Sequence, residues 1–324
     1  VSKVRLCFLG TPEFAVTSLK ALIADDHYEI VGVVTQPDRP AGRKMQLTPS
    51  PVKTVALAHG LRVICPESLK KEPAYLDEIR SWKAEVAVVV AFGQILTQEF
   101  LDSFPFGAVN VHGSLLPRWR GAAPIQRSLE AGDRESGVTL QKIVKKLDAG
   151  DVIGLRKVPL DDEINATELY EKLAELGADL LRVELMDYVR GNLAPKPQDE
   201  SFVTHAAKID KAEAEIHWDQ PAERIHNKVR ALAMGPGTYT LLGGKKLKIH
   251  KARVSMASVG AGSGADGVGV HPGSIVSIGE DKISVRCGAG VLDIFEVQPE
   301  SRNRQKIADF LKSHPLKKGD VFGT

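Results

Sequence analysis

Residues Gly107 to Pro124 read GAVNVHGSLLPRWRGAAP. Ala108, Val109 and Val111 are small or β-branched and favour a strand, which Gly113 interrupts. Side chains two apart on a strand share a face, so Asn110 and His112 project side by side just before the break. An amide and an imidazole are awkward to bury together, because both need polar partners. At the mouth of a cleft they suit acyl transfer: the amide donates to an oxyanion and the imidazole moves a proton. Taken alone, N-x-H is more often a polar strand end with a satisfied histidine, and the surrounding chain has to decide.

Upstream, Val4 to Leu9 is an apolar run closed by Gly10. Thr11-Pro12-Glu13 then opens a helical pattern through Leu22, with Thr11 expected as N-cap and Pro12 at the first helical position. Glu29 to Thr35, Arg62 to Ile64 and Val86 to Val90 read as further strands, with helices from about Pro51 to His59 and Pro73 to Trp82 between them. Gly107 to Val111 is the fifth strand. This alternation predicts an α/β fold: an N-terminal Rossmann-like, mostly parallel sheet with helices on both faces. Ligands bind beyond the carboxyl ends of such strands, where Asn110, His112 and Gly93 of the AFGQIL loop converge. G-T-P-E-F carries one glycine of the G-x-G-x-x-G fingerprint, with proline and glutamate where backbone must approach a pyrophosphate. A nicotinamide-dependent oxidoreductase is therefore disfavoured.

Between the second strand and its helix lies QPDRPAGRKMQLTPSP, residues 36–51, with four prolines and three positive charges against one negative. A loop this long inside a domain is usually functional or disordered. Arg39, Arg43 and Lys44 suit phosphate contact, and Gly42 lets the backbone bend. Downstream, Pro124 to Ala131 reads as a short helix, and Ser136 to Lys142 and Val152 to Pro159 as two strands. Leu147-Asp148-Ala149-Gly150-Asp151 connects them with two carboxylates, of which Asp151 reads as structural, bonding loop amides. Thr167 to Arg190 carries leucines at helical spacing and closes the first domain.

The expected domains are 1–190, a polar, proline-containing linker at 191–208, and 209–324. In the last, Pro221 to Leu232 is an amphipathic helix, and Lys245 to Val254, Gly273 to Ile278, Lys282 to Arg286 and Val291 to Val297 are short strands, a spacing that suggests a small barrel. Gly260 to Gly269 reads as a flexible hairpin or loop tip. At 324 residues, two domains are natural, and 43% hydrophobic with 26% charged residues is ordinary for a globular protein. No apolar run reaches bilayer length and the first residues enter a strand directly, so the expected location is the cytoplasm, without membrane contact. Cys7, Cys65 and Cys287 are far apart without CxxC spacing and read as reduced core residues, with no zinc or other metal expected. The net charge of +2 hides an asymmetry: residues 1–208 hold 26 Lys+Arg against 28 Asp+Glu, and residues 209–324 hold 17 against 13, so the second part is basic by four.

Asn110, His112 and Ser114-Leu115-Leu116-Pro117, followed by Gly121, resemble the signature of the 10-formyltetrahydrofolate-dependent formyltransferases. The longer run SLLPRWRGAAPIQRSL, with the early GTPEFA and TQPDRPAGR, is similar specifically to members that formylate the free amino group of initiator methionyl-tRNA. The likeness covers nearly the whole chain, densest before Asp151 and thinner after Ser201. It implies direct attack of the amine on the formyl group of 10-formyltetrahydrofolate, assisted by Asn110, His112 and Asp148, with formylmethionyl-tRNA for translation initiation as product. It also implies a folate wall from Ser114, Leu115, Leu116 and Pro117 with Phe92 and Gly93. The 36–51 loop, with Arg39, Gly42, Arg43 and Lys44, would close on the tRNA acceptor arm. A C-terminal OB-type barrel would bind tRNA, and a monomer is expected. One departure is ALAMGPGTYT, which keeps only Pro236 and Tyr239 of a segment that is proline-rich and aromatic in the family. Two alternatives stand beside this reading: formylation of a small amine such as glycinamide ribonucleotide or an amino sugar, and a non-catalytic RNA-binding protein. The basic second domain weighs against the first, and the presence of Asn110, His112 and Asp148 together weighs against the second.

Overall fold

The computed structural model describes residues 3–42, 45–256 and 271–323. The chain forms two compact units, one from Val1–Pro124, Glu135–Pro159 and Leu169–Ala207, the other from Ile125–Arg134, Leu160–Glu168 and Lys208–Thr324.

In the first, β1 (Val4–Gly10) leads into α1 (Glu13–Ile23), β2 (Tyr28–Val34), and a hairpin of β3 (Arg39–Ala41) and β4 (Gln46–Thr48). Then come α2 (Pro51–Ala58), β5 (Val63–Ile64), α3 (Pro73–Ser81), β6 (Val86–Val90), α4 (Gln98–Leu101), β7 (Ala108–His112) and β8 (Arg120–Gly121). After α5 (Pro124–Glu130), which beyond Pro124 belongs to the second unit, the first continues with β9 (Glu135–Lys142), β10 (Val152–Pro159), α6 (Ala166–Val189) from Leu169 onward and β11 (His205–Ala206).

Seven strands make one sheet in the order β10-β9-β7-β6-β1-β2-β5. The five from β5 to β7 are parallel, and β9 and β10 add an antiparallel edge. Every residue of β6, VAVVV, is buried, as a central strand covered on both faces requires. Behind β7, a Cβ on Gly177 of α6 would come within 2.7 Å of Val111, so glycine permits the close approach of helix and strand. Val111 packs on that side, which leaves Asn110 and His112 on the opposite face. Across the β7–β9 ladder, Asn110 stands opposite Gln141 and His112 opposite Thr139.

Three local expectations change. Helix α1 begins at Glu13 after an extended Pro12 with no side-chain cap. Thr11 instead donates its hydroxyl to the Phe92 carbonyl at 3.2 Å and accepts the Gln36 N–H at 3.4 Å, tying three loops together. The 36–51 segment carries the β3–β4 hairpin, turning at Gly42 with φ +70°, where a Cβ would meet nothing within 4 Å. Arg43 and Lys44 lie outside the described residues. The 191–208 segment, linker-like in composition, is docked on the first unit. Lys196 and Val152 exchange both backbone hydrogen bonds, at 2.7 and 2.8 Å, and β11 pairs in parallel with β8. Its main chain finds partners that side-chain polarity does not announce.

The second unit contains α7 (Ala222–Ala231), β12 (Thr238–Leu242), β13 (Lys245–Val254), β14 (Ile275–Ile278), β15 (Ile283–Arg286), β16 (Val291–Pro299), β17 (Gln305–Lys306) and α8 (Ile307–Ser313). Its antiparallel sheet runs β12-β13-β16-β15-β14, with β17 on β16. Ile225 and Val229 of α7 and Ile307 and Phe310 of α8 bury against it. The expectation is a small barrel; among the described residues the strands form a smaller antiparallel sheet with an open path of pairing, without a β12–β14 ladder to close it. Residues Gly260 to Gly269 fall outside the described residues.

The β9–β10 hairpin depends on Gly137, whose Cβ would lie 2.1 Å from the Arg156 carbonyl oxygen and 2.5 Å from a Leu115 methyl. Gly137→Ala is expected to destabilise the first unit by about 1–3 kcal/mol in denaturant unfolding. An unchanged midpoint would mean that the hairpin shifts freely.

Candidate active site

His112 ends β7 and is only 6% exposed. Its Nε2 lies 2.9 Å from the Trp119 carbonyl oxygen, and a carbonyl can only accept, so Nε2 carries the proton. That bond depends on an unusual backbone: Trp119 has φ +63°, rare for a bulky residue, and the left-handed turn directs its carbonyl at the ring. Thr204 holds the turn by accepting the Trp119 N–H on its hydroxyl at 2.9 Å. In the neutral ring the lone pair is therefore on Nδ1. Facing Nδ1 at 3.7 Å is Oδ2 of Asp148, beyond direct hydrogen-bond range. Two acceptors confront each other across a gap that fits a donor N–H or O–H.

Asp148 reaches this position from the β9–β10 connection in a left-handed conformation, φ +47°, which aspartate tolerates better than most residues. Oδ2 accepts the Gly121 N–H at 2.9 Å, and Oδ1 accepts from Gln141 Nε2 at 3.1 Å. Gly121 is irreplaceable in that contact: its φ is +125° and a Cβ would lie 2.7 Å from the Ala206 carbonyl. Asn110, half-buried beside His112, has no side-chain hydrogen bond among the described residues. Its amide is left available as a donor. The structure thus brings Asn110, His112 and Asp148 together on one sheet face.

The other predicted residues divide. Ser114 is buried and donates its hydroxyl to the Arg118 carbonyl at 2.7 Å, a turn-forming bond that removes it as a nucleophile. Leu115 and Pro117 are half-buried and offer apolar surface, while Leu116 is buried with its N–H on Thr139 Oγ1. Phe92 is 2% exposed with its ring in the core, so its main chain is the part available as wall. Gly93, with φ +81°, leaves 2.6 Å between a Cβ position and Gln36 Nε2. Arg39 pairs with Glu67 at 2.8 Å on the surface, a weak pair that a phosphate can replace. An open cleft of about 560 Å³, lined by Phe104, Phe106, Lys142 and Tyr188, lies at the other end of β7 and includes none of Asn110, His112 and Asp148.

Sequence reasoning missed Thr139, Gln141, Arg120 and Gln198. Thr139 donates to the Ser114 carbonyl at 2.7 Å while accepting from Leu116, and so clamps the 114–116 turn over the site. The alternating polar residues of VTLQK hold a signal for the first two, readable only once β9 is known to pair with β7. Arg120 and Gln198 gave none.

A Rossmann-like sheet with an amide donor, an imidazole with a free Nδ1 and a facing carboxylate defines an acyl-transfer enzyme site. Family models place the chemistry more closely, matching "Formyl transferase" over residues 4–184 and "Formyl transferase, C-terminal domain" over 208–315. The chain belongs to the formyl transferase family. It is 67% identical over 323 residues to the methionyl-tRNA formyltransferase of Bdellovibrio bacteriovorus, covering 100% of each chain. It is 43% identical to that of Moorella thermoacetica, covering 99% of each. Among solved structures, an N-formyltransferase from Helicobacter canadensis, in complex with folinic acid and dTDP-3-aminofucose, aligns with a TM-score of 0.68 at 19% identity, covering 91% of this chain and 99% of the other. HypX from Aquifex aeolicus with tetrahydrofolic acid aligns at 0.63 and 17%, covering 100% and 51%. These two show a shared fold.

Hydrogen bonds from Arg120, and then from Lys146, hold the Glu200 carboxyl down at about 2. A folded-state value below the unfolded one stabilises above the ordinary carboxylate range, and the contribution drains as pH falls toward 2. Glu200 is exposed, so the effect is small. Between about pH 4.5 and 2 the melting temperature of the wild type is expected to fall more steeply than that of Glu200→Gln, and parallel curves would contradict the assignment.

Proposed function

We propose that this chain transfers the formyl group of 10-formyltetrahydrofolate to the free amino group of methionyl-tRNA, giving formylmethionyl-tRNA for translation initiation. The observation that carries the reading is the meeting of Asn110, His112 Nδ1 and Asp148 in a chain 67% identical, end to end, to a methionyl-tRNA formyltransferase. The folded relatives with folinic acid and tetrahydrofolic acid support a folate donor, seated against Leu115, Pro117 and the main chain at Phe92 and Gly93.

The amine nitrogen bonds to the formyl carbon, and the C=O electron pair moves onto oxygen. Asn110 donates its amide N–H to that oxyanion, a contribution whose loss in comparable sites costs about 3 kcal/mol. The gap between His112 Nδ1 and Asp148 Oδ2 receives the proton the amine gives up. His112 then returns a proton to the departing folate nitrogen as the C–N bond breaks, so no net proton is consumed. The Trp119 carbonyl stabilises the imidazolium formed in between.

For the acceptor, the 36–51 segment with Arg39, Gly42, Arg43 and Lys44, and a tRNA-binding domain at 209–324 with its excess of four positive charges, would contact the acceptor arm. The catalytic domain is 1–190 and the connection 191–208. Among the described residues no helix is long and apolar enough to cross a membrane. We assign the work to a monomer in the cytoplasm.

The test is formyl transfer from 10-formyltetrahydrofolate to methionine-charged initiator tRNA, with glycinamide ribonucleotide as parallel acceptor. Transfer to the tRNA, weakening as salt rises, is the expected outcome. Asn110→Ala should lower kcat by about 10²–10³ and leave folate affinity unchanged. His112→Ala and Asp148→Asn should lose comparable factors. Transfer to the small amine alone would overturn the acceptor, and near-wild-type turnover of His112→Ala would overturn the mechanism.

A further inference from the structure

Arg120 is 1% exposed, and among the described residues it is the bulkiest fully buried side chain. Its Nε and Nη2 donate to Gln198 Oε1 at 3.1 and 2.8 Å, and Nη2 also donates to Glu200 at 2.8 Å. A guanidinium can only donate, so the Gln198 oxygen is forced toward it and the Gln198 amide nitrogen points away. That nitrogen donates to the carbonyls of Asp148 at 2.9 Å and Gly150 at 2.7 Å, and to Gln141 Oε1 at 3.3 Å. With its oxygen so engaged, Gln141 must turn its own nitrogen to Asp148 Oδ1, at 3.1 Å.

We propose that Arg120 is a positioning residue of the reaction, acting through the amides of Gln198 and Gln141 to set which face of each meets Asp148. A primary amide can flip, and either orientation fills the same space. The donor-only charge of Arg120 on one side, with the acceptor-only carbonyls of Asp148 and Gly150 on the other, breaks that symmetry. In the observed direction Gln141 offers an N–H to Oδ1, the carboxylate is pinned with Oδ2 toward His112, and the loop carbonyls at Asp148 and Gly150 are held. In the reversed direction the Gln141 oxygen would face Oδ1, and two acceptors would repel. The neighbouring Gly121 N–H, which bonds Oδ2, rides on the same Arg120–Gly121 strand, itself paired with His205 and Ala206. The 196–206 stretch is thereby part of the machinery rather than a tether.

The proposal rests on the formyl-transfer reading, and Gln198→Glu tests it. A carboxylate there keeps a partner for Arg120 but removes the donor and reverses Gln141. The expected result is a fall in kcat of roughly 10–100-fold, with KM for folate and tRNA within about twofold and a melting temperature within a few degrees. The kcat–pH profile should change as well, because Asp148 loses an N–H donor and gains a negative neighbour. Gln141→Leu should reproduce the kcat loss, and adding it to Gln198→Glu should cost less than about twofold more, since both act on one path. The ¹⁵N chemical shifts of the His112 ring, recorded by NMR without substrate, should also move in Gln198→Glu. Wild-type kcat and pH profile in both single variants, or losses that multiply in the double, would overturn the relay. If Gln198→Glu does not fold, Gln141→Leu alone decides by the same kcat and pH readings. A wild type inactive on either acceptor would instead condemn the functional reading, and the His112 ring shifts would still judge the relay.

Discussion

Four polar side chains on one face of two neighbouring strands, Asn110 and His112 opposite Gln141 and Thr139, set the terms for the whole first unit. Buried polar groups cost free energy of order 1–3 kcal/mol each when left unpaired, and a sheet cannot satisfy side chains that stand off its plane. Partners have to come from elsewhere in the chain. The 113–119 turn supplies them to His112 and Thr139, the β9–β10 connection brings Asp148, and the docked 196–206 stretch supplies Gln198 and Thr204. Of the four, only Asn110 is left without a side-chain partner among the described residues, and only Nδ1 of His112 remains uncommitted. The groups assigned to the chemistry are what the satisfaction of the others leaves over.

Two of the six left-handed non-glycine residues among those described sit in the same place. Trp119 and Asp148 both hold left-handed backbone, and each delivers one atom that the site needs: the carbonyl that takes the Nε2 proton, and the carboxylate that faces Nδ1. Such conformations cost of order 1–3 kcal/mol apiece and persist because neighbours over-determine them. Here the neighbours are Thr204 and Gln198, which explains why a polar segment with two prolines is packed down instead of crossing solvent.

Much of this was legible in the chain itself. Strand and helix alternation gave the parallel sheet because β6 is uniformly apolar and its neighbours largely so, and a two-residue spacing put Asn110 beside His112 on any strand that included both. Asp148 came through resemblance, since no local pattern distinguishes it from Asp151. The supporting shell stayed hidden for physical reasons. Gln141 and Thr139 acquire meaning only through pairing with a strand some thirty residues away, and Arg120 reads as an ordinary surface cation until a two-residue strand buries it. Thr11 was misplaced because a threonine before a proline is a good cap locally, while the carbonyl of Phe92 and the N–H of Gln36 compete for its hydroxyl. In the second unit β12 was overlooked because TYTLL is short and follows a glycine-rich turn.

Nearly every step of the chemistry assumes that His112 works through Nδ1. Long-range ¹H–¹⁵N spectra of the protein labelled at histidine, recorded above the ring's titration, measure this directly. The account predicts the Nε2–H tautomer, with Nδ1 showing the chemical shift of an unprotonated ring nitrogen. A dominant Nδ1–H tautomer would contradict it, because the Trp119 carbonyl would then face a bare lone pair and Asp148 would have no open nitrogen to share.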